Sequence, residues 1–207
     1  MEIVYHFIEE CCERYTIDES HGLRHAKDTV AWAEKLIAEE GVVDPVERRM
    51  ILWSAALHDM CDAKYTNPVE AAEDIRKWLI ACKWSAFEAE TLIRIILSTS
   101  YSKLKTQWKA TGECPYPDHG IFTRAYHIVR HADLLEGYSV RRCMLYTRHR
   151  LPGKTEEDYW TLVKEVFHNR VLQYVTDGWL FLPAAIRYAV ELDKIARIDL
   201  EREAWTA

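Results

Sequence analysis

His58 and Asp59 directly follow Ala55-Ala56-Leu57, at the end of a strongly apolar stretch. Burying an imidazole and a carboxylate is costly unless something compensates them. A hydrogen bond between the two is one solution, and a shared metal ion is another. Two further places bear on the choice. His21 and His25 stand at i and i+4, on one face if the segment is helical. Asp133 interrupts an otherwise apolar helical run, His131-Ala132-Asp133-Leu134-Leu135. Neutral imidazoles and carboxylates suit a divalent cation, and a mixed nitrogen–oxygen set accepts Mn, Mg, Fe, Co, Ni or Zn.

The series His25, His58-Asp59, Asp133, with separations of 33 and 74 residues, resembles the signature of the HD superfamily of metal-dependent phosphohydrolases. The run His58-Asp59-Met60-Cys61-Asp62-Ala63-Lys64-Tyr65 is similar to the HD-x-x-D-x-K-[YF] element of a small nucleotide pyrophosphohydrolase-like branch. Ile95-Ile96-Leu97-Ser98-Thr99-Ser100-Tyr101-Ser102 is similar to its I-I-x-x-x-S-[FY]-S element. Ala132-Asp133-Leu134-Leu135-Glu136-Gly137 roughly follows its A-D-x-L-[DE]-x-x-G element. The resemblance spans about residues 18–140. It departs at His131, where the branch usually has aspartate, and at Asp28-Thr29, where it usually has Arg-Val; nothing matches beyond residue 150.

The resemblance implies an all-α fold in which His25, His58, Asp59 and Asp133 hold one divalent metal ion. It also implies hydrolysis of a phosphoester or phosphoanhydride bond in a nucleotide or related small phosphate compound. A bound divalent ion activates water and polarises a phosphoryl oxygen, and attack on phosphorus then needs proton transfer and charge stabilisation. Asp62, three residues after Asp59, is the candidate for proton transfer, and Lys64 is the candidate cation for a phosphate. Lys103, His21 and His131 are possible contacts around the metal or substrate. Each has a plainer alternative: Asp62 as a turn residue, Lys64 as a solvated cation, His21 as a helix-start residue, His131 as an exposed histidine. His6, His119, His127, His149 and His168 read as structural or exposed. Two other functions remain open. An HD-type iron oxygenase needs a second set of histidines, yet none stands between residues 60 and 118, leaving His119, His127 or His131. A nucleotide-sensing module without turnover is the other.

The elements that must position these residues are helices. The 207 residues include only 7 Gly and 6 Pro, about half the usual share of turn residues, which all but excludes an all-β sandwich. Helical spacing places Ile3, Phe7, Cys11 and Tyr15 on one face over about 2–15. Over 21–40 it places Leu23, Ala26, Val30, Ala33 and Ile37 on one face, with His25 at its edge. Asp44-Pro45 and Asn67-Pro68 each start a helix as N-cap and first-turn proline. The second of these has an inner stripe of Val69, Ala72, Ile75, Leu79 and Cys82. Ser85 and Glu88 form a capping box. On this reading all four metal candidates fall on helices.

Gly112, Pro115 and Pro117 mark 101–119 as a long loop between the third and fourth ligand-bearing segments, where substrate selectivity would be set. Helix resumes near Ile121 and runs to about 150, with a break at Gly137. C-terminal helices occupy about 155–204, with Val166 in one inner stripe and Val190 and Ile198 in the other, and could form an interface. Trp53 and Trp78 belong to the core and Trp160 to its edge. Trp108 suits loop packing or stacking on a base; Trp205, like Trp32, Trp84 and Trp179, has no position set by pattern. One domain over 1–207 accounts for the chain, with its motif-bearing core at about 18–140.

The remaining features exclude function classes. The net charge of −6, from 27 basic and 33 acidic residues, and the lack of a basic stripe argue against a partner of long nucleic acid. A small phosphorylated substrate in a locally positive cleft is compatible with that balance. The apolar run Trp179–Ile186 is too short to cross a membrane, and MEIVYHFIEE is not a signal peptide. Six cysteines without C-x-x-C spacing read as reduced thiols in the cytoplasm.

Overall fold

Side-chain caps and prolines decide where the helices begin. In the computed structural model, which describes residues 1–204, the Asp44 carboxylate accepts from Val46 N–H at 3.1 Å, and Pro45 opens the helix behind it. Asn67 and Pro68 repeat the device, with a 3.0 Å bond from Val69 N–H. Ser85 with Glu88 and Thr155 with Asp158 form complete capping boxes. Each satisfies N–H groups that the first turn would leave without partners.

Ten α-helices follow: α1 (Glu2–Tyr15), α2 (Leu23–Glu39), α3 (Pro45–Leu57), α4 (Pro68–Ala81), α5 (Ala86–Ser98), α6 (Tyr101–Thr111), α7 (Thr123–Glu136), α8 (Val140–Arg150), α9 (Glu156–Asn169) and α10 (Pro183–Arg202). Short 3₁₀ turns lie at Gly120–Phe122 and Val171–Gln173. No strand occurs among the described residues, so the fold is all-α. Helices α2, α3 and α7 pack against one another at the centre. Helix α1 covers α2 and α3, α5 bridges α3 and α4, α9 lies on α8, and α10 lies across α7 and α2.

The stretch 101–119 is not one long loop: residues 101–111 form α6. They contain no glycine or proline, and Tyr101 and Leu104 are buried on their inner side. Gly112, in the left-handed region at φ 71°, ends the helix, so the breakers govern only the second half. The break at Gly137 is present and separates α7 from α8. A Cβ there would lie 2.9 Å from the Leu134 carbonyl oxygen, so the position needs glycine.

Several inner faces are rotated from the sequence reading. In α1 the buried row is Val4, Phe7, Ile8 and Cys11, and Ile3 is exposed. Val69, in the first turn of α4, reaches solvent, as do Val166, Val190 and Ile198. In α10 the buried side is lined by Ala184, Ala185, Ala189 and Ala196 together with Leu200, and Val190 and Ile198 fall outside that row. Trp53 and Trp78 are half-buried in an aromatic group with the buried Phe7, which stacks on Trp78 at 4.2 Å, and the buried Trp84. Trp160 is buried rather than at the edge of the core, and so is Trp179. Trp108 is 41% exposed and meets Trp179 edge-on at 5.4 Å. Trp205 lies outside the described residues. The six cysteines are unpaired, and no helix among the described residues is long and apolar enough to cross a membrane.

Candidate metal centre

His25 lies in the first turn of α2, and Asp133 near the end of α7. Helix α3 ends at Leu57, so His58 is its C-cap and Asp59 stands in the turn beyond it. These two are therefore not on a helix. The turn is held by Met60 N–H on the Leu57 carbonyl and Asp62 N–H on the Asp59 carbonyl.

The four side chains converge. His25 Nε2 lies 3.0 Å from His58 Nε2, 3.2 Å from Asp59 Oδ2 and 3.6 Å from Asp133 Oδ1. His58 Nε2 lies 3.3 Å from Asp59 Oδ2 and 3.4 Å from Asp133 Oδ1. Ligands ~2.0–2.1 Å from a tetrahedral ion stand about 3.3 Å apart, which is this spacing.

The outer nitrogens are already committed. His58 Nδ1–H donates to the Ala55 carbonyl at 2.8 Å. His25 Nδ1 lies 3.0 Å from Glu136 Oε2. In the neutral rings both Nε2 lone pairs therefore point inward at the carboxylates; His25, His58 and Asp133 form a group able to hold a metal ion, and Asp59 Oδ2 lies against both imidazoles. Asp59 Oδ2 is buried and has no hydrogen-bond partner. Such a cluster needs protons or a cation at its centre, and the donor set fits a divalent metal.

The titration of these groups reports the same crowding. Burial opposes an imidazolium at His58, yet Asp59 and Asp133 outweigh it and push the ring up to about 9. At His25, burial and Arg142 work against protonation, and Glu136 and Asp59 overcome them. Burial would raise both aspartates; the histidines beside them hold Asp59 and Asp133 below the usual carboxylate range.

A cavity of about 600 Å³ opens beside His58, Asp59 and Asp133. His21, Asp62, Lys64 and Lys103 line it, so these candidates are brought to the cluster. Asp62 holds its own turn: it accepts from Lys64 N–H at 3.0 Å and pairs with Lys64 Nζ at 3.1 Å. His21 is buried, with Nδ1 2.8 Å from Ser20 Oγ and 3.0 Å from Tyr65 Oη, and Tyr65 donates to Asp18. Cys61 and Cys143 also line the cavity, but burial raises their thiols to about 12 and about 11, so neither is a ready nucleophile.

His131 is not at the cavity, nor is it exposed. At 100° per residue it lies about 200° around α7 from Asp133. It is buried against Arg130 Nη2, at 3.0 Å, and the Phe181 ring. His119 and His127 are turned away too, toward Ser98 and Tyr116.

Two contributors carry no individual signal in the pattern. Glu136 is buried between His25 and Arg142, whose Nε lies 2.5 Å from Glu136 Oε2. It sits in the acidic position of the A-D-x-L-[DE] element, three residues after Asp133, which is the clue that could have found it. Arg142, one of a run of basic residues in α8, places Nη1 3.4 Å from His25 Nε2.

No family model and no curated protein matches the chain. The crystal structure of Bacillus subtilis YpgQ resembles it with a TM-score of 0.67 at 14% identity, over 98% of this chain and 92% of that one. At that identity the likeness is one of fold.

Proposed function

We propose that this chain is a metal-dependent phosphohydrolase of the HD type, acting on a nucleotide or a related small phosphate compound. One observation carries the reading. Two inward-facing imidazoles stand 3.0 Å apart, with an oxygen of Asp59 and one of Asp133 each 3.2–3.6 Å from both, beside a cavity of about 600 Å³, a size suited to a small ligand. In this reading His25, His58, Asp59 and Asp133 hold one divalent ion. When bound, such an ion supplies an activated water and polarises a phosphoryl oxygen. Asp62, at the mouth of the same turn, handles the proton, and Lys64 and Lys103 offer positive charge to the phosphate. The likeness to YpgQ supports the fold of this reading alone.

The oxygenase alternative gains nothing from the geometry. His119, His127 and His131 face away from the cluster, and the group His25, His58 and Asp133 is the one metal-capable set found among the described residues. The test is a screen of metals against nucleoside tri-, di- and monophosphates, scored separately for orthophosphate and pyrophosphate release. His58→Ala and Asp59→Ala should lose metal binding and turnover together. Full activity in either variant would refute the proposal.

A further inference from the structure

Four cations line the cavity, and they are not equivalent. Lys64 is paired with Asp62, and Arg142 with Glu136. Lys103 and Arg170 have no carboxylate partner within ion-pair distance among the described residues. They come from α6 and from the junction of α9 with the second 3₁₀ turn, elements that supply none of the four clustered side chains. Glu165 of α9 also lines the cavity without an ion pair to any of them, so these walls, separate from the cluster, carry two cations against one carboxylate.

Arg170 is the more organised of the two. Its Nε donates to Tyr174 Oη at 2.9 Å, and its guanidinium lies 4.4 Å over the Tyr101 ring. Tyr174 is itself buried and meets Tyr101 edge-on at 5.1 Å. The side chain is thus held on one edge and one face, leaving its two terminal nitrogens without a protein acceptor among the described residues. An ordered guanidinium fork on a cavity wall is preorganised for a bidentate oxyanion. Its ordering entropy is spent before a ligand arrives.

We infer that Arg170 is a specificity-determining residue that binds a second phosphate of the substrate, one other than the phosphate presented to the His–Asp cluster. The inference rests on the phosphohydrolase reading for the identity of the ligand and deepens it. The favoured ligand carries a chain of two or more phosphates. The C-terminal arm, rather than the turn after α6, sets that preference.

The test compares wild type with Arg170→Ala, Arg170→Lys and Tyr174→Phe, each loaded with metal. Binding of inorganic tripolyphosphate and of orthophosphate is measured by calorimetry, alongside turnover of nucleoside tri- and monophosphates. A charge-assisted bidentate contact is worth about ten- to a hundredfold in affinity. Arg170→Ala should therefore lower the preference for tripolyphosphate over orthophosphate by about that factor. Arg170→Lys should restore part of it, since a lysine keeps the charge and loses the fork. Tyr174→Phe, which frees Nε, should fall between wild type and Arg170→Ala. An unchanged preference in Arg170→Ala, or an equal loss for both ligands, overturns the inference. A lowered melting temperature without a change in preference would show that the stacking is only structural and overturns it too. The two readings fail separately. Arg170-dependent preference in a protein that turns over no phosphate ester would refute the hydrolase and keep the subsite. Turnover with an unmoved preference would do the reverse.

Discussion

Replacing Glu136 tests how the cluster is held. Its Oε2 stands 2.5 Å from Arg142 Nε and 3.0 Å from His25 Nδ1, so one carboxylate neutralises a cation and orients an imidazole. Removing one partner of a buried ion pair costs ~3–5 kcal/mol. The Arg142 side chain is 21% exposed, and water can take part of the lost role, which brings the cost to about 2–3 kcal/mol. For a chain of this size each kcal/mol moves the melting temperature by ~2–4 °C, so the metal-free variant should melt roughly 4–12 °C lower. The orientation of His25 is a separate quantity. Groups that orient metal-bound histidines are worth ~10–100-fold in metal affinity. Glu136→Gln keeps an acceptor for Nδ1–H and should lie near the tenfold end, whereas Glu136→Ala keeps none and should approach a hundredfold. Thermal melts of chelator-treated protein read the first effect, and competition with a chromophoric chelator reads the second. If Glu136→Ala binds metal within threefold of wild type, Glu136 does not orient the ring, and the Thr29 hydroxyl, 3.5 Å from Nδ1, would be the alternative support.

The cluster also predicts a pH dependence. In the metal-free protein His58 is pushed up to about 9 and His25 is raised, both above the ~6.5 of an unfolded histidine. Their contribution to stability is complete below about pH 6.5 and is lost as pH rises through about 9. Metal needs the neutral rings, so its affinity should climb across the same window with release of protons. Calorimetry at neutral pH in buffers of different ionisation enthalpy counts those protons, and a count of zero would contradict the assignment. In α10, which packs on α7 and α2, Ala189→Leu should overpack the alanine row, costing ~1–3 kcal/mol and roughly 2–12 °C in melting temperature. Val190→Ala, on the exposed side, should stay within about 0.5 kcal/mol, and the opposite order would refute the account of how α10 packs.

Much of the fold was legible from the chain because its signals are local. Asp44-Pro45, Asn67-Pro68 and the Ser85/Glu88 box act within a few residues of themselves, and each starts a helix where the pattern places it. At 101–119 the expected loop is half helix, because Gly112, Pro115 and Pro117 interrupt the chain only at and beyond themselves and residues 101–111 contain no breaker. Inner faces were less legible, since a valine or isoleucine fits either side of a helix in pattern. In α10 the neighbouring helix selects the alanines instead.

The same division runs through the candidate site. Residue type and spacing pointed to His58-Asp59, to His21 and His25 and to Asp133, because a polar pair at the end of an apolar run and an aspartate within another are costly unless they are used; the resemblance to the HD superfamily selected His25, His58, Asp59 and Asp133 from among them. Only the tertiary structure decided that these four side chains meet, which lone pairs face inward, and that His131 turns away while Lys103 and Lys64 reach the cavity. It also brought in Glu136, which the motif places near Asp133 without a role, and Arg142 and Arg170, whose sequence surroundings are ordinary. A carboxylate or guanidinium on a helix looks the same to its sequence neighbours whether it faces water or an imidazole, and the difference arises only when α2, α7, α8 and α9 are packed together.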